Sequence, residues 1–553
     1  MHANGGSLMG NGLFHQLLTP IGHSTGLSFL VGVIPIAVVL VLLGVVRAPA
    51  WISALSGLIV GLIEAIAGWQ MPFHLAMSSI GEGMVFAVWP VMWIVWNAMW
   101  LYNLSQRTGA FAQFRDWMYR YATDDRRIQL LIIAFGFGAL MEGIAGFGTP
   151  VAIASALLVG LGFPVLEAVT YALIFDTAPV AFGALGVPIV TLGSVTNLNV
   201  NALSSMVGRQ LPIFAFILPF YVIVVMGGWK ALKGAWPVAL VGGLSYAVTQ
   251  FAVANFLGPA LPDVLAALVS LVCIVLFTRV WRPKDTNLFR SFVHLGAHNE
   301  TAATVEGSST GSLWRGWVPW LTVTGVVIVW TFLKIADIGQ RKISWPGLND
   351  QVYLTLYQKP YDAVWAFQPL ATGTAILVAV ILTALFLRAG WKTFWLAAAD
   401  TWKQLVFPIL TVMFIVGLAY LYNYSGMAYT LGVAVAALGS WFPFFSGFLG
   451  WIACFLSGSD TSSNALFGNL QVVAANRLHL NPVLMAATNS SGAVMSKMIS
   501  PQNVTTGVST GELRGKEGLV IRRTFWHSLV LTVLLGILVT LQAHVWTGMI
   551  PKP

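Results

Sequence analysis

The run Ser457-Gly-Ser-Asp-Thr-Ser-Ser-Asn464 lies between the apolar stretches Trp451-Ile-Ala-Cys-Phe-Leu456 and Ala465-Leu-Phe467, placing one acid and six hydroxyl or amide side chains in a hydrocarbon-like context. An ionisable group at membrane depth costs roughly 2.5–3.5 kcal/mol even on mild insertion scales. Such a cost persists only where the group does something, so Asp460 marks a functional region. The surrounding sequence then has to be read as membrane.

Composition supports that reading. Of 553 residues, 57% are hydrophobic and 8% are charged, against about one quarter charged in soluble domains. Apolar stretches recur from Phe29–Val46 through Ser528–Val545. Together with the interrupted segments they predict an all-α integral membrane protein with about 12–14 membrane elements, since a crossing needs about 20 residues. Barrel strands would alternate apolar and polar residues instead.

The net charge of +9 does not indicate nucleic acid, because the cations sit in short loops between apolar stretches. Positive-inside bias accounts for them. Residues 1–46 carry no Lys or Arg, whereas Arg107, Arg115, Arg120, Arg126 and Arg127 crowd one loop, which predicts an extracytoplasmic N-terminus. Arg514, Lys516, Arg522 and Arg523 mark a second cytoplasmic loop. The stretch Asp337–Asp362, with Arg341, Lys342 and Lys359, fits this rule poorly, because alternation places it outside.

Phe29–Val46 reads as a retained span rather than a signal peptide. Cys273 and Cys454 lie in apolar stretches and read as packing residues, so neither a disulfide framework nor a thiolate metal site is expected. No cofactor and no enzyme activity are expected. The predicted organisation is an extracytoplasmic segment 1–28, a first membrane half 29–281, a cytoplasmic linker 282–313, a second half 314–548 and a tail 549–553.

An internal repeat organises the halves. Glu142-Gly-Ile-Ala-Gly-Phe-Gly-Thr-Pro150 follows Gly136-Phe-Gly138, just as Ser457–Asn464 follows Gly447-Phe-Leu-Gly450. In each, an acid lies in a Gly- or Ser-rich break between apolar arms of about 11–14 residues, too short to cross a membrane. Re-entrant hairpins near 128–163 and 446–476 are predicted. Downstream, Val165–Val190 is interrupted at Asp176-Thr-Ala-Pro179, and Val483–Val508 at Asn489-Ser-Ser-Gly492 and again from Lys497 to Pro501-Gln-Asn503. The fold expected is therefore two inverted repeats, each with a re-entrant hairpin and a broken helix.

Irregular backbone at membrane depth survives where it lines a cavity, and helix N-termini at such breaks attract small anions. Candidate anion contacts in the first half are Gly146, Gly148, Thr149 and Thr177, with Arg209 of Met206-Val-Gly-Arg-Gln-Leu-Pro212 either reaching the anion or anchoring a helix. In the second hairpin they are Ser459, Thr461, Ser462, Ser463 and Asn464. Asn489, Ser490, Ser500 and Gln502 follow downstream. Lys497 could pair with Asp460 or with a substrate carboxylate. Glu142, Asp176 and Asp460 are the proton-coupling candidates, because no histidine lies within a central span. For the glycines the plain alternative is tight helix packing, and for the hydroxyls bonding to neighbouring backbone.

These segments resemble the bacterial lactate permease family: Glu142–Pro150, Asp176-Thr-Ala-Pro-Val-Ala-Phe-Gly183, Met206–Pro212, Gly458–Phe467 and Lys497-Met-Ile-Ser-Pro-Gln502, in this order along nearly the whole chain. The resemblance implies import of lactate and related 2-hydroxymonocarboxylates such as glycolate across the bacterial inner membrane, usually with protons, and an ion-transporter-like architecture with an elevator movement. Thr149 and Asn503-Val-Thr-Thr506 depart from the family's more apolar pattern and leave the preferred 2-hydroxy acid open. Na⁺-coupled import, an anion channel and a membrane receptor are the rival functions; assembly into a homo-oligomer is left open.

Overall fold

A computed structural model describes residues 13–121, 123–144, 146, 149–289, 313–508 and 516–551. Most of the predicted linker 282–313, the first twelve residues and the last two lie outside them, as does Gly148. Among the described residues nine helices are long and apolar enough to cross a membrane, or ten when the bent pair Val165–Phe175 and Val180–Thr196 is counted as one span. Two shorter apolar helices, Pro150–Gly160 and Thr372–Phe386, accompany them. The expected helical membrane protein is observed.

Helix length and membrane thickness decide how individual stretches cross. Leu211–Phe256 runs for 46 residues, roughly 69 Å at 1.5 Å per residue, more than twice a hydrocarbon core of about 30 Å. It turns at Gly227 and Gly228, where Gly228 takes a φ of +68°, a conformation that glycine adopts without steric cost. One sequence-continuous helix is thus two crossings.

Two faces of the bundle are defined by their contacts. On one, Phe14–His15 pairs in parallel with Val352–Leu354, which also pairs with Lys359–Pro360, and Arg341–Ser344 pairs antiparallel with Val364–Phe367. The stretch 337–362 therefore holds short strands, and the start of the described chain shares their face. Trp345 and Pro346 of this cap meet Ser78, near the start of the span Phe73–Arg107, while Arg107 at its other end pairs with Asp400 at 2.5 Å. On the arginine-rich side Arg127 is fully buried against Asp125 (2.6 Å) and Asp285 (2.7 Å). Its guanidinium holds the Asp285 carboxyl below the usual carboxylate range.

Eight helices build the centre: α1 (Arg126–Ile144), α2 (Thr149–Gly160), α3 (Val165–Phe175) and α4 (Gly183–Thr196), then α5 (Phe442–Ser457), α6 (Asp460–Arg477), α7 (Pro482–Lys497) and α8 (Pro501–Val508). Both predicted helix–break–helix elements are present, but three of their four arms exceed the expected 11–14 residues: α1 has 19, α5 has 16 and α6 has 18. The helices continue past the apolar letters because polar residues find partners, as when Gln471 donates to the Ser446 carbonyl at 2.9 Å and accepts from the Ser446 hydroxyl at 2.8 Å.

Tight backbone contact fixes α5 on α7. A Cβ placed on Gly450 would lie 2.0 Å from the Asn489 carbonyl oxygen, and one on Gly492 would lie 2.0 Å from that of Gly447. This is the small-residue packing by which membrane helices approach closely. It also corrects a boundary: α7 runs unbroken through Asn489–Gly492, where an interruption was expected, and ends only at Lys497. Asn489 and its neighbours bond sideways to adjacent helices, so the backbone ladder stays intact.

Candidate functional site

The buried charges converge from both halves. Lys497, the last residue of α7, directs its Nζ to Glu142 Oε1 of α1 at 2.5 Å and to Asp176 Oδ2 at 3.3 Å, just after α3. All three side chains are at most 5% exposed. The expected alternative partner, Asp460, is engaged elsewhere: its Oδ2 accepts from the Ser490 hydroxyl at 2.6 Å, and its Oδ1 has no protein hydrogen-bond partner. Lys497 thus ties the second half to the acids of the first.

Local backbone makes this junction possible. The pair α3–α4 bends by 65° across Asp176–Pro179, where Pro179 cannot donate to a helix ladder. Ala184, Leu185 and Gly186 then take φ values of 46°, 57° and 84°, a left-handed turn that costs roughly 1–2 kcal/mol for each non-glycine residue. Gly186 is required there, since a Cβ would stand 2.4 Å from the Pro259 carbonyl oxygen. The turn presses Gly183 onto Glu142, with a built Cβ 2.9 Å from Oε1. Between α5 and α6, Gly458 takes a left-handed φ of +71°, and Ser459 caps α6 by accepting from the Ser462 N–H at 3.2 Å.

These elements enclose a cavity of about 50 Å³ lined by Glu142, Gly146, Gly183, Ala184, Val187 and Pro188 from the first half, and by Gly458–Thr461, Lys497 and Gln502 from the second. Among the sequence candidates the structure therefore brings together Gly146, Ser459, Thr461, Lys497, Gln502, Glu142 and Asp460, with Asp176 on Lys497 and Ser490 on Asp460. Thr177 and Ser500 are buried nearby with hydroxyls that no protein group engages. Of Thr149 only the helix backbone is described, and Gly148 lies outside the described residues.

Other candidates are placed differently. Ser463 donates to the Gly450 carbonyl, Asn464 to the Pro188 carbonyl and Asn489 to Asn464 Oδ1, at 3.2, 3.2 and 3.0 Å, which makes them cross-links between helices. Ser462 faces an adjoining, mainly apolar cavity with Trp51 and Phe407, whose wall shares Ser459 and Gln502 with the inner one. Arg209 is held by Asn255 and the Met549 carbonyl, both at 2.9 Å, so it anchors the chain's end and does not line the cavity.

Two features escaped sequence reading. Beyond the quoted Gly183, the turn Ala184–Gly186 shapes this part of the wall, and its signal was the pair of glycines flanking Ala184-Leu185 ahead of Pro188. Asp263, 1% exposed, lies beside Gly143, accepts from Gln250 at 3.0 Å and leaves its Oδ2 without a hydrogen-bond partner. It stands at a helix start after Pro262, where an acid reads as interfacial.

A multi-pass helical protein whose broken helices meet at a buried, charged cavity has the architecture of a secondary transporter. The sequence model of the L-lactate permease family matches residues 28–546, and the chain belongs to that family. Glycolate permease GlcA of Escherichia coli strain K12 is 42% identical, with 97% of this chain and 99% of that protein covered. The L-lactate permeases of Bacillus subtilis strain 168 and of E. coli strain K12 are 41% and 39% identical over 97% and 98% of this chain, covering 99% and 100% of their own lengths. These relatives are named permeases, not enzymes. Among solved structures the Alcanivorax borkumensis YdaH transporter aligns at a TM-score of 0.47 and 14% identity, covering 86% of this chain and 90% of its own.

Proposed function

We propose that the protein imports lactate and related 2-hydroxymonocarboxylates, glycolate among them, across the bacterial inner membrane by proton symport, with its N-terminus outside. The single observation that carries this reading is the placement of Lys497 between Glu142 and Asp176 beside a small cavity lined by buried side chains. One ammonium and two ionised carboxylates sum to one negative charge, and a substrate carboxylate docked on Lys497 adds another. Uncompensated charge in a low-dielectric site is expensive. One proton on the Glu142–Asp176 pair offsets each anion taken, which couples the two fluxes.

The sequence of events follows from donors and acceptors. The substrate carboxylate takes the Lys497 position that Glu142 occupies, and the released Glu142 or its neighbour Asp176 accepts the proton. Ser459, Thr461, Gln502 and the first-turn N–H groups of α6 offer bonds to the carboxylate and to the 2-hydroxyl. Asp460, with one oxygen on Ser490, sets the opposite wall.

A cavity of about 50 Å³ has room for a few waters, each needing roughly 10–15 Å³ of such volume. Loading a six-heavy-atom anion therefore requires the walls to part. Gly146, Gly183–Gly186 and Gly458 are the hinges we assign. The halves 29–281 and 314–548 act as inverted repeats, each supplying a re-entrant hairpin and a broken helix, and move relative to one another in elevator fashion.

The experiment is uptake of labelled lactate into proteoliposomes under an imposed pH gradient, with choline replacing Na⁺. Accumulation that follows the pH gradient supports symport. Uptake that follows a Na⁺ gradient and ignores pH overturns it.

A further inference from the structure

The cationic strands that break the positive-inside pattern cover the largest of the cavities described, about 610 Å³. We propose that this chamber is an external vestibule that collects monocarboxylate anions before they reach the buried site; the inference rests on the transport reading above. Three independent features point to it.

The first is strand register. Lys342 pairs with Ala366 and Ser344 with Val364, and alternate residues of a strand share a face. Lys342, Val364 and Ala366 all line the chamber, so the sheet turns Lys342 inward and Arg341, opposite Phe367, to its other face. Lys359, from the strand Lys359–Pro360 of the other sheet, lines the same space. Two ammonium groups against the single carboxylate of Asp362 leave the mouth net positive.

The second is continuity with the buried site. The chamber's inner wall is formed by Val195–Asn197 at the end of α4 and by Asn469, Val472 and Asn476 of α6. Val187 and Pro188 of the same α4, and Asp460 and Thr461 of the same α6, line the inner cavity. Seven or eight residues of helix separate the two, about 10–12 Å. Between them α4 and α6 are sealed, because Asn464 donates to the Pro188 carbonyl at 3.2 Å and Gly468 packs on Leu192, with a built Cβ 2.6 Å away.

The third is lining chemistry. Asn476 donates to the Tyr357 hydroxyl at 2.9 Å and Asn197 to that of Tyr361 at 3.4 Å. Amides and phenols beside ammonium groups suit a carboxylate that carries a hydroxyl. A volume within the usual range of ligand pockets, about 300–1,000 Å³, takes the anion with its water, so binding is weak and the gain lies in local concentration. The competing role for lysines on short edge strands is to block strand pairing.

The test is the external KM for labelled lactate in right-side-out membrane vesicles, comparing the unaltered protein with Lys342→Gln/Lys359→Gln. Two unit charges about 10 Å from an anion in water change its local concentration roughly fourfold. The screening length shrinks from about 30 Å at 0.01 M salt to about 3 Å at 1 M. The expected result, screening included, is a KM about three times higher in 0.01 M choline chloride and less than twice as high in 1 M, with Lys342→Arg/Lys359→Arg retaining the unaltered value. A KM unchanged at both salts, or raised equally at both, overturns the vestibule while leaving transport standing; the edge-blocking role gives this pattern with a lowered melting temperature. No uptake by the unaltered protein overturns the transport reading and this inference with it.

Discussion

Gly183→Ala isolates the contact on which coupling depends. Gly183 has a φ of −60° and a ψ of 156°, which alanine adopts freely, so the substitution acts through space alone. The added Cβ would stand 2.9 Å from Glu142 Oε1 and 3.4 Å from the Glu142 carbonyl oxygen. The first contact is about half an ångström inside ordinary van der Waals distance. Glu142 Oε1 is also the atom that Lys497 holds at 2.5 Å, so the carboxylate can relieve the clash only by withdrawing from the ammonium. Overpacking costs about 1–3 kcal/mol, and weakening a charge-assisted bond costs a similar amount. We expect pH-driven lactate uptake to fall by roughly ten- to a hundredfold, at about 1.4 kcal/mol per decade. The assay is initial uptake in proteoliposomes normalised to the amount of protein reconstituted. Glu142→Asp in the same chain shortens the acid by one methylene and restores room, so the double variant should transport better than Gly183→Ala alone. Uptake by Gly183→Ala above half the unaltered rate, or no rescue by the shorter acid, would refute the reasoning.

Other outcomes follow from single contacts. Gly458→Ala forces a methyl into a φ of +71° and within 2.8 Å of Gln502 Oε1 and Ser500 Oγ; it should cost about 1–2 kcal/mol in stability from the backbone alone, read as a lower melting temperature in detergent. Arg209→Gln, which loses the bonds to Asn255 and Met549, should lower the melting temperature while leaving the KM for lactate within about twofold; a tenfold rise in KM would return Arg209 to the site. Asp285→Asn should destabilise at pH 7 by about 1 kcal/mol or less, given its partly exposed pair with Arg127. Because the Asp285 carboxyl is held below its usual range, that contribution is present above the unfolded value near 3.9 and is lost as pH falls through the folded one. The difference from the unaltered protein should close toward pH 3, and a gap that widens in acid would contradict the pairing.

The sequence announced the site by cost. Asp460, Glu142 and Lys497 stand out because lipid penalises them, and the matching breaks in the two halves could be aligned by eye. What the sequence could not convey was which acid meets which cation, since Lys497 and Glu142 are brought together across more than half the chain. Hydroxyl and amide letters were equally ambiguous. Ser463, Asn464 and Asn489 carry the same chemistry as Ser459 and Thr461, yet one helical turn decides that they cross-link helices rather than face the cavity. The interruption expected at Asn489–Gly492 shows the same limit, because those polar residues bond sideways and leave the helix intact. Asp263 was hidden by position, and the left-handed turn at Ala184–Gly186 contradicts the local preferences of Ala and Leu, so only its tertiary contacts with Pro259 and Glu142 explain it.

The central claim is that the Lys497–Glu142–Asp176 trio links proton to anion movement. The most direct measurement compares pH-driven net accumulation of labelled lactate with lactate–lactate counterflow in Glu142→Gln, in the same proteoliposomes. Accumulation should be lost while counterflow, which moves anion for anion and needs no net proton transfer, continues. pH-driven accumulation at the unaltered level in Glu142→Gln would contradict the account.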